Sequence, residues 1–401
     1  MKERILPILA CLAALFLTPR LAAEPALAPD GSLMQSLRFE MEMEDLVREA
    51  VLGNKEGAAL AAGLAKPGKL PRVLFSDLEQ LRGVVKKAWN ALYYNGDIYI
   101  SKSRMLRYFG AEGRQEEEVD WPKLRKDLKR KKAAAREMAF AYVHELVHVR
   151  QGQNYPAEAM PEVESEHEAF LLSSLYFLEE TEKDPSLLAR HAVEPVYGNK
   201  KKTTFASSAA VELFLVCLGK KGYKDYLENI YRGAIAAADG PVDGDDPQRL
   251  AFTRSVDALF ERAWPGLWLR TAVSGGGAAL AAGSYPRALR CLVPPAGEGA
   301  SYGLPAEKLV ELSALGEKAL AAALAALRAG EKGDFERHSY LFREMEEAHR
   351  RLGRQLPADI AALRPAVYAR ARIFYAQKAA AEPSAGWRGY LLNQEQYFTE
   401  R

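Results

Sequence analysis

His144, Glu145 and His148 stand in the pentapeptide His144-Glu145-Leu146-Val147-His148, and their types and spacing suit a metal ion and a water molecule. On a helix, side chains four apart share a face, so both imidazoles can reach one ion. Glu145 stands one step round, where its carboxylate can touch a metal-held water without ligating the metal. The chemistry of such a set is hydrolysis, with Zn2+ as the ion that suits two imidazoles and an open water position.

Five residues are a short pattern, so the surrounding elements must carry the reading. Met138, Phe140, Tyr142, Val143, Leu146 and Val147 surround the two histidines with apolar groups, the dry setting in which metal–ligand electrostatics are strong. Trp121 to Gln151 has a helical pattern, with Asp120 placed to cap it, Pro122 in its first turn and Gly152 to end it. Two imidazoles leave a catalytic tetrahedral zinc one protein ligand short. Beyond the connection Gly152 to Met160, a second helix opens at Pro161 and offers Glu162, Glu164, Glu166 and Glu168. An acidic first turn also suits any helix N-terminus, so periodicity does not choose among the four. His167, in their midst, reads as a helix-surface residue.

His144 to His148 followed downstream by Glu166-His167-Glu168-Ala169 resembles the gluzincin metallopeptidases, the thermolysin-like clan. The resemblance spans Phe140 to Leu178 and rests on two short motifs. In that clan a second helix supplies a Glu within E-x-x-A or E-x-x-S. The resemblance therefore implies Glu166 as third ligand beside His144 and His148, with Glu145 as general base. It also implies peptide-bond hydrolysis, in which Glu145 takes a proton from the attacking water and passes it to the leaving amine. The chain departs from the clan at Phe170, where many members carry an acid that orients a zinc-bound imidazole. Glu162 or Glu164 as ligand would restore that acid at Glu166 or Glu168, so those registers stay open. Members use a downstream Tyr or His to stabilise the oxyanion; His191, Tyr197, Tyr223 and Tyr231 are the candidates here.

Ahead of the histidines, Leu92 to Ile100 reads as two short strands around the Asn95-Gly96 turn, a strong hairpin signal. Arg72 to Ser76 offers another strand of the same small sheet. In zincins a strand ahead of the active helix borders the cleft, so the resemblance implies Asp97 to Ser101 as an edge strand pairing with an extended peptide or protein substrate; a small packing hairpin with no substrate role is the alternative.

At the N-terminus, a charged start (Lys2, Glu3, Arg4), an apolar run Ile5 to Leu17 and small residues up to Ala23 fit a secretory signal peptide, residues 1–23. Cys11 comes too early in that run for a lipoprotein cleavage box. The run is short for a membrane span and no other approaches that length, so the mature chain is expected to be exported, periplasmic or secreted, without stable membrane insertion. Loss of Lys2, Arg4, Arg20 and Glu3 takes the formal charge from +2 to zero, which gives no reason to expect nucleic acid as a partner. The basic run Lys123 to Lys132 reads as a solvated helix face. Only Cys217 and Cys291 remain in the mature chain, and sequence leaves both a bridge and two free core thiols open.

The expected fold class is α+β and predominantly helical: a zincin-like core with a small sheet and the HExxH helix, then an α-helical C-terminal domain. The expected boundaries are 24–237 for the core, 238–248 for a Gly/Pro/Asp-rich linker or loop, and 249–401 for the helical domain. Leu309 to Gly330 and Asp334 to Leu352 read as a helix pair. Ala278 to Leu289 resembles one helix-turn of a tetratricopeptide-type repeat, although no thirty-four-residue recurrence accompanies it. The helical domain either completes the fold or docks a partner protein of the cell envelope. His338 and His349 read as surface residues on charged helix. Two function classes follow: a zinc-dependent metallopeptidase of the envelope, or a zincin-fold scaffold or binding protein without cleavage activity. A zinc hydrolase of a non-peptide amide has the same sequence signature.

Overall fold

Helices dominate the chain. The computed structural model describes residues 31–64, 70–76, 91–156, 159–189, 208–238, 246–295, 297–330, 333–383 and 385–400. The expected signal peptide, most of the expected linker, His191 and Tyr197 lie outside them. The N-terminal part holds α1 (Gly31–Leu52), α2 (Lys55–Ala62), β1 (Val73–Ser76), β2 (Ala91–Tyr94), β3 (Asp97–Ser101), α3 (Lys102–Tyr108), α4 (Trp121–Lys126), α5 (Leu128–Asn154) and α6 (Glu162–Lys183). Then follow α7 (Ser186–Ala189), α8 (Ser208–Leu215), α9 (Gly219–Ala238), α10 (Pro247–Ala281), α11 (Tyr285–Leu292), α12 (Glu298–Ser301) and α13 (Ala306–Arg328). The chain ends with α14 (Phe335–Arg351), α15 (Ala358–Ala361), α16 (Arg364–Ala381) and α17 (Ala385–Glu400).

The sheet has three strands in the order β1-β3-β2. Asn95 at φ 52° and Gly96 at φ 90° make the two-residue hairpin turn that the Asn-Gly pair favours, and Tyr94 pairs with Asp97 across it. Here the expectation for Asp97 to Ser101 is corrected. β3 pairs antiparallel with β2 and parallel with β1, so it is the central strand, and the edges are β1 and β2. Ile98 and Ile100, both buried, face the helices from that central position.

α5 is the axis of the N-terminal part: α1, α6, β2 and β3 all pack on it. The expected single helix from Trp121 is interrupted at Asp127. That residue leaves helical geometry at ψ 70° and caps α5 by accepting from the Arg130 N–H, as Asp120 caps α4. The helix also runs through Gly152 to Asn154. α1 buries Phe39, Met43, Val47 and Val51 at four-residue spacing, with the Phe39 ring against Phe109 and Trp121. The basic run is only partly a solvated face, because Lys131 is buried and reaches Glu42 of α1 at 2.7 Å, beside Arg125.

Farther along, α10 packs on α6 and α11 packs on both α10 and α13. Close approach requires glycine at two places. A Cβ on Gly276 would meet Leu292 Cγ at 2.5 Å, and one on Gly316 would meet the Leu292 carbonyl oxygen at 2.7 Å. Cys217, just after α8, is disulfide-bonded to Cys291 of α11, with Cα atoms 4.8 Å apart. A cross-link closing a loop of 74 residues restricts the unfolded chain by about 4 kcal/mol in the chain-entropy model. The expected helix pair is present as α13 and α14, which pack together. His349 is buried rather than exposed, its Nδ1 donating to the Met345 carbonyl at 3.0 Å, and His338 is half-buried. No helix of the described residues is long and apolar enough to cross a membrane.

Asn54 ties α2 to α6. Its Oδ1 accepts from the N–H groups of Glu56 and Gly57, while its Nδ2 donates to the Tyr176 carbonyl at 3.0 Å and to Glu180 at 2.9 Å. Asn54→Ala should lower unfolding stability by about 3 kcal/mol: roughly 1 for the lost cap, the rest for two buried acceptors left short of a donor. Denaturant unfolding checks this, and a loss below about 1 kcal/mol would show that the tie contributes little.

His167 is 3% exposed rather than on the surface, packed against Phe260 of α10. Burial, with the Lys224 charge next, pushes its pKa down to about 4. The unfolded chain therefore takes up this proton first, near pH 6.5, and stability falls as pH drops from there towards 4. The expected loss reaches at most about 3 kcal/mol, and His167→Phe should flatten that limb. Melting temperatures between pH 7 and 4.5 measure it; parallel profiles for the two chains would refute it.

Candidate metal centre

Where α5 and α6 pack, three side chains converge. His144 Nε2 lies 3.2 Å from His148 Nε2 and 3.2 Å from Glu166 Oε2, and His148 Nε2 lies 3.7 Å from Glu166 Oε1. Ligand atoms about 2.0–2.1 Å from a tetrahedral zinc stand roughly 3.3 Å from one another, so the three atoms have the spacing of one metal's coordination sphere. Among the described residues they form the group of His, Cys, Asp or Glu able to share an ion, with all ligand atoms within 4.8 Å.

Of the four candidate acids on α6, one points towards the imidazoles. Glu166 faces the imidazoles, whereas Glu168 is bound to Arg150 and Gln151. Glu164, its pKa raised by burial, faces the charges of Lys224, Arg249 and Asp257 instead, and neither Glu162 nor Glu164 joins the cluster. Ala169, wholly buried one turn from Glu166, keeps the helix contact close.

His148 is oriented from behind by Gln151, one turn farther along α5. Gln151 Nε2 donates to the Ser165 carbonyl and to Glu168, which fixes the amide so that its Oε1 faces His148 Nδ1 at 2.8 Å. An amide oxygen can only accept, so Nδ1 carries the proton and Nε2 keeps its lone pair for the cluster. The Ser165 hydroxyl donates to the same Oε1 at 2.6 Å. Sequence reading missed Gln151, although its i+3 relation to His148 was the available signal.

His144 is held differently. The Phe170 ring packs on it, centroids 4.5 Å apart, at the position where an orienting acid was sought. Burial alone would lower the His144 pKa, but the Glu166 hydrogen bond and charge outweigh it, with help from Glu145 and Glu212, and raise it to about 9. Glu212 of α8 was missed as a site residue. Burial pushes its carboxyl up to about 8, against the pull of His144, while the Glu166 charge adds to the rise.

Glu145 does not join the cluster. Its Oε2 accepts from the Tyr93 backbone N–H of β2 at 2.9 Å, while its charge is felt by His144 of the cluster. Of the oxyanion candidates, Tyr223 is fully buried in the core against Trp264, its hydroxyl 3.4 Å from Ser174. His191, Tyr197 and the side chain of Tyr231 lie outside the described residues.

The donor set fits zinc: two imidazoles with inward Nε2 atoms, one carboxylate, apolar surroundings and an outer partner for His148. Comparison with protein families, curated proteins and solved structures finds no match to this chain, so the functional argument rests on the site itself. Purified residues 24–401 should carry about one zinc per chain, and His148→Ala should lose it. Elemental analysis under non-chelating conditions decides the matter; a metal-free wild-type chain would remove the centre.

Proposed function

We propose that this chain is a zinc-dependent, gluzincin-like metallopeptidase of the cell envelope, with His144, His148 and Glu166 as ligands and Glu145 as general base. The observation that carries the reading is the separation of roles at the centre: three inward ligand atoms, and a second acid beside them that stays out of the cluster. A purely structural zinc site is closed by four protein ligands, whereas three plus an adjacent free carboxylate is the catalytic arrangement. Zinc bound there would lower the pKa of a water and polarise a carbonyl.

The remaining steps belong to the chain's own groups. Glu145, held by the Tyr93 N–H, accepts the proton of the attacking water and delivers it to the departing amine. β2 is an edge strand, and the Tyr93 N–H shows that its outward side borders Glu145. An extended peptide adding to that edge would bring its backbone past the general base, which favours peptides or unfolded proteins as substrate. The buried Cys217–Cys291 bridge supports an oxidising compartment, in keeping with the leader-like residues 1–23.

Glu145→Gln should keep the zinc and lose about 100- to 10,000-fold in cleavage of an unfolded protein. The expected wild-type activity is abolished by chelation and restored by zinc. Cleavage that survives in the variant would defeat the proposed mechanism. No cleavage by the zinc-loaded wild type would favour the scaffold reading, in which Glu145 has no task.

A further inference from the structure

The two ligand imidazoles differ in what stands behind them. His148 donates its outer N–H to Gln151, whereas His144 Nδ1 is buried with no hydrogen-bond partner among the described residues. Metal bound at Nε2 leaves the proton on Nδ1, and a buried N–H donor without an acceptor is costly. The ligand helix supplies no acid at the expected place, because Phe170 fills it. A second buried atom also lacks a partner among the described residues: Glu212 Oε2.

Glu212 lies on α8, which packs on both α5 and α6, and it interacts electrostatically with His144 and Glu166 together. It is the one ionisable residue in the apolar run Ala209 to Leu218, so its burial needs a counterpart. Arg104 of α3 is the other charged group within its electrostatic reach. Resting on the metal-centre reading above, we infer that the Glu212 carboxylate is the outer acceptor for the His144 Nδ1–H, a positioning residue from a separate helix replacing the acid that Phe170 displaces. The unmatched donor and the unmatched acceptor then satisfy each other when metal sets the His144 tautomer. Cys217, disulfide-bonded to α11, anchors the chain five residues beyond Glu212 and limits how far α8 can drift.

The test is zinc affinity by competition with a chromophoric chelator, together with the imidazole N–H signals of the zinc-loaded protein by NMR. Glu212→Ala should bind zinc about 10- to 100-fold more weakly, and the His144 Nδ1–H should lose its protection from solvent exchange. Glu212→Gln keeps an acceptor oxygen at the same reach and should keep that protection with a smaller loss of affinity. Glu212→Asp keeps the charge but draws it back, and should lose the protection. Glu164→Gln, facing Lys224 and Arg249, should change neither readout. Melting of the metal-free variants reports folding separately. Wild-type affinity and an unchanged Nδ1–H in Glu212→Ala, or protection that follows charge rather than reach, would overturn the assignment. A wild-type chain that binds no zinc would overturn both this inference and the metal-centre reading.

Discussion

Glu166 and two imidazole nitrogens are crowded within 3.2 to 3.7 Å where α5 packs on α6, a grouping that favours a positive charge among them. A carboxylate and nitrogen lone pairs facing one another in an apolar setting repel unless a proton or a metal ion joins them. The Glu166 hydrogen bond and charge supply the attraction, and raise the His144 pKa to about 9 despite burial that pulls the other way. A metal ion at the proposed centre would meet the same demand.

That contact is braced on several sides. Asn54 locks α2 onto the far half of α6, Tyr142 donates to the Pro71 carbonyl at 2.7 Å to hold β1 against α5, and α10 covers the face of α6 that carries His167. The result is that Glu166 and His167, adjacent in sequence, serve opposite purposes. One faces the ion-binding atoms, and the other is a neutral core residue wedged against Phe260.

How much of this was legible in the sequence follows the range of the interactions involved. The helix that carries the pentapeptide, the Asn-Gly turn and the Asp120 cap are local, set by residues within a turn or two, and they stand where the sequence put them. The order of the strands was not local: parallel pairing of Val73 to Ser76 with Ile98 to Ser101 makes β3 central, and nothing within the hairpin signals it. His167 was misread for the same reason, since its covering residue, Phe260, comes from a distant helix. Lys131 looked solvated until Glu42, eighty-nine residues earlier, supplied its partner. Gln151 was visible as a residue, but its place behind His148 emerges only when the imidazole is in position.

The position of Glu145 is the strongest argument that the centre is built for turnover rather than for stability. A fold that needed zinc only as a staple would gain from a fourth ligand and has an acid beside the cluster to provide it. Instead that acid is held by a backbone N–H from the sheet edge, at 2.9 Å. The hydrogen bond fixes the direction of the carboxylate. It also couples the proposed general base to the same strand edge on which an extended chain would align. Substrate pairing and proton transfer would then share a single backbone group, so that displacement of the Tyr93 N–H contact becomes the point at which binding is felt by the chemistry.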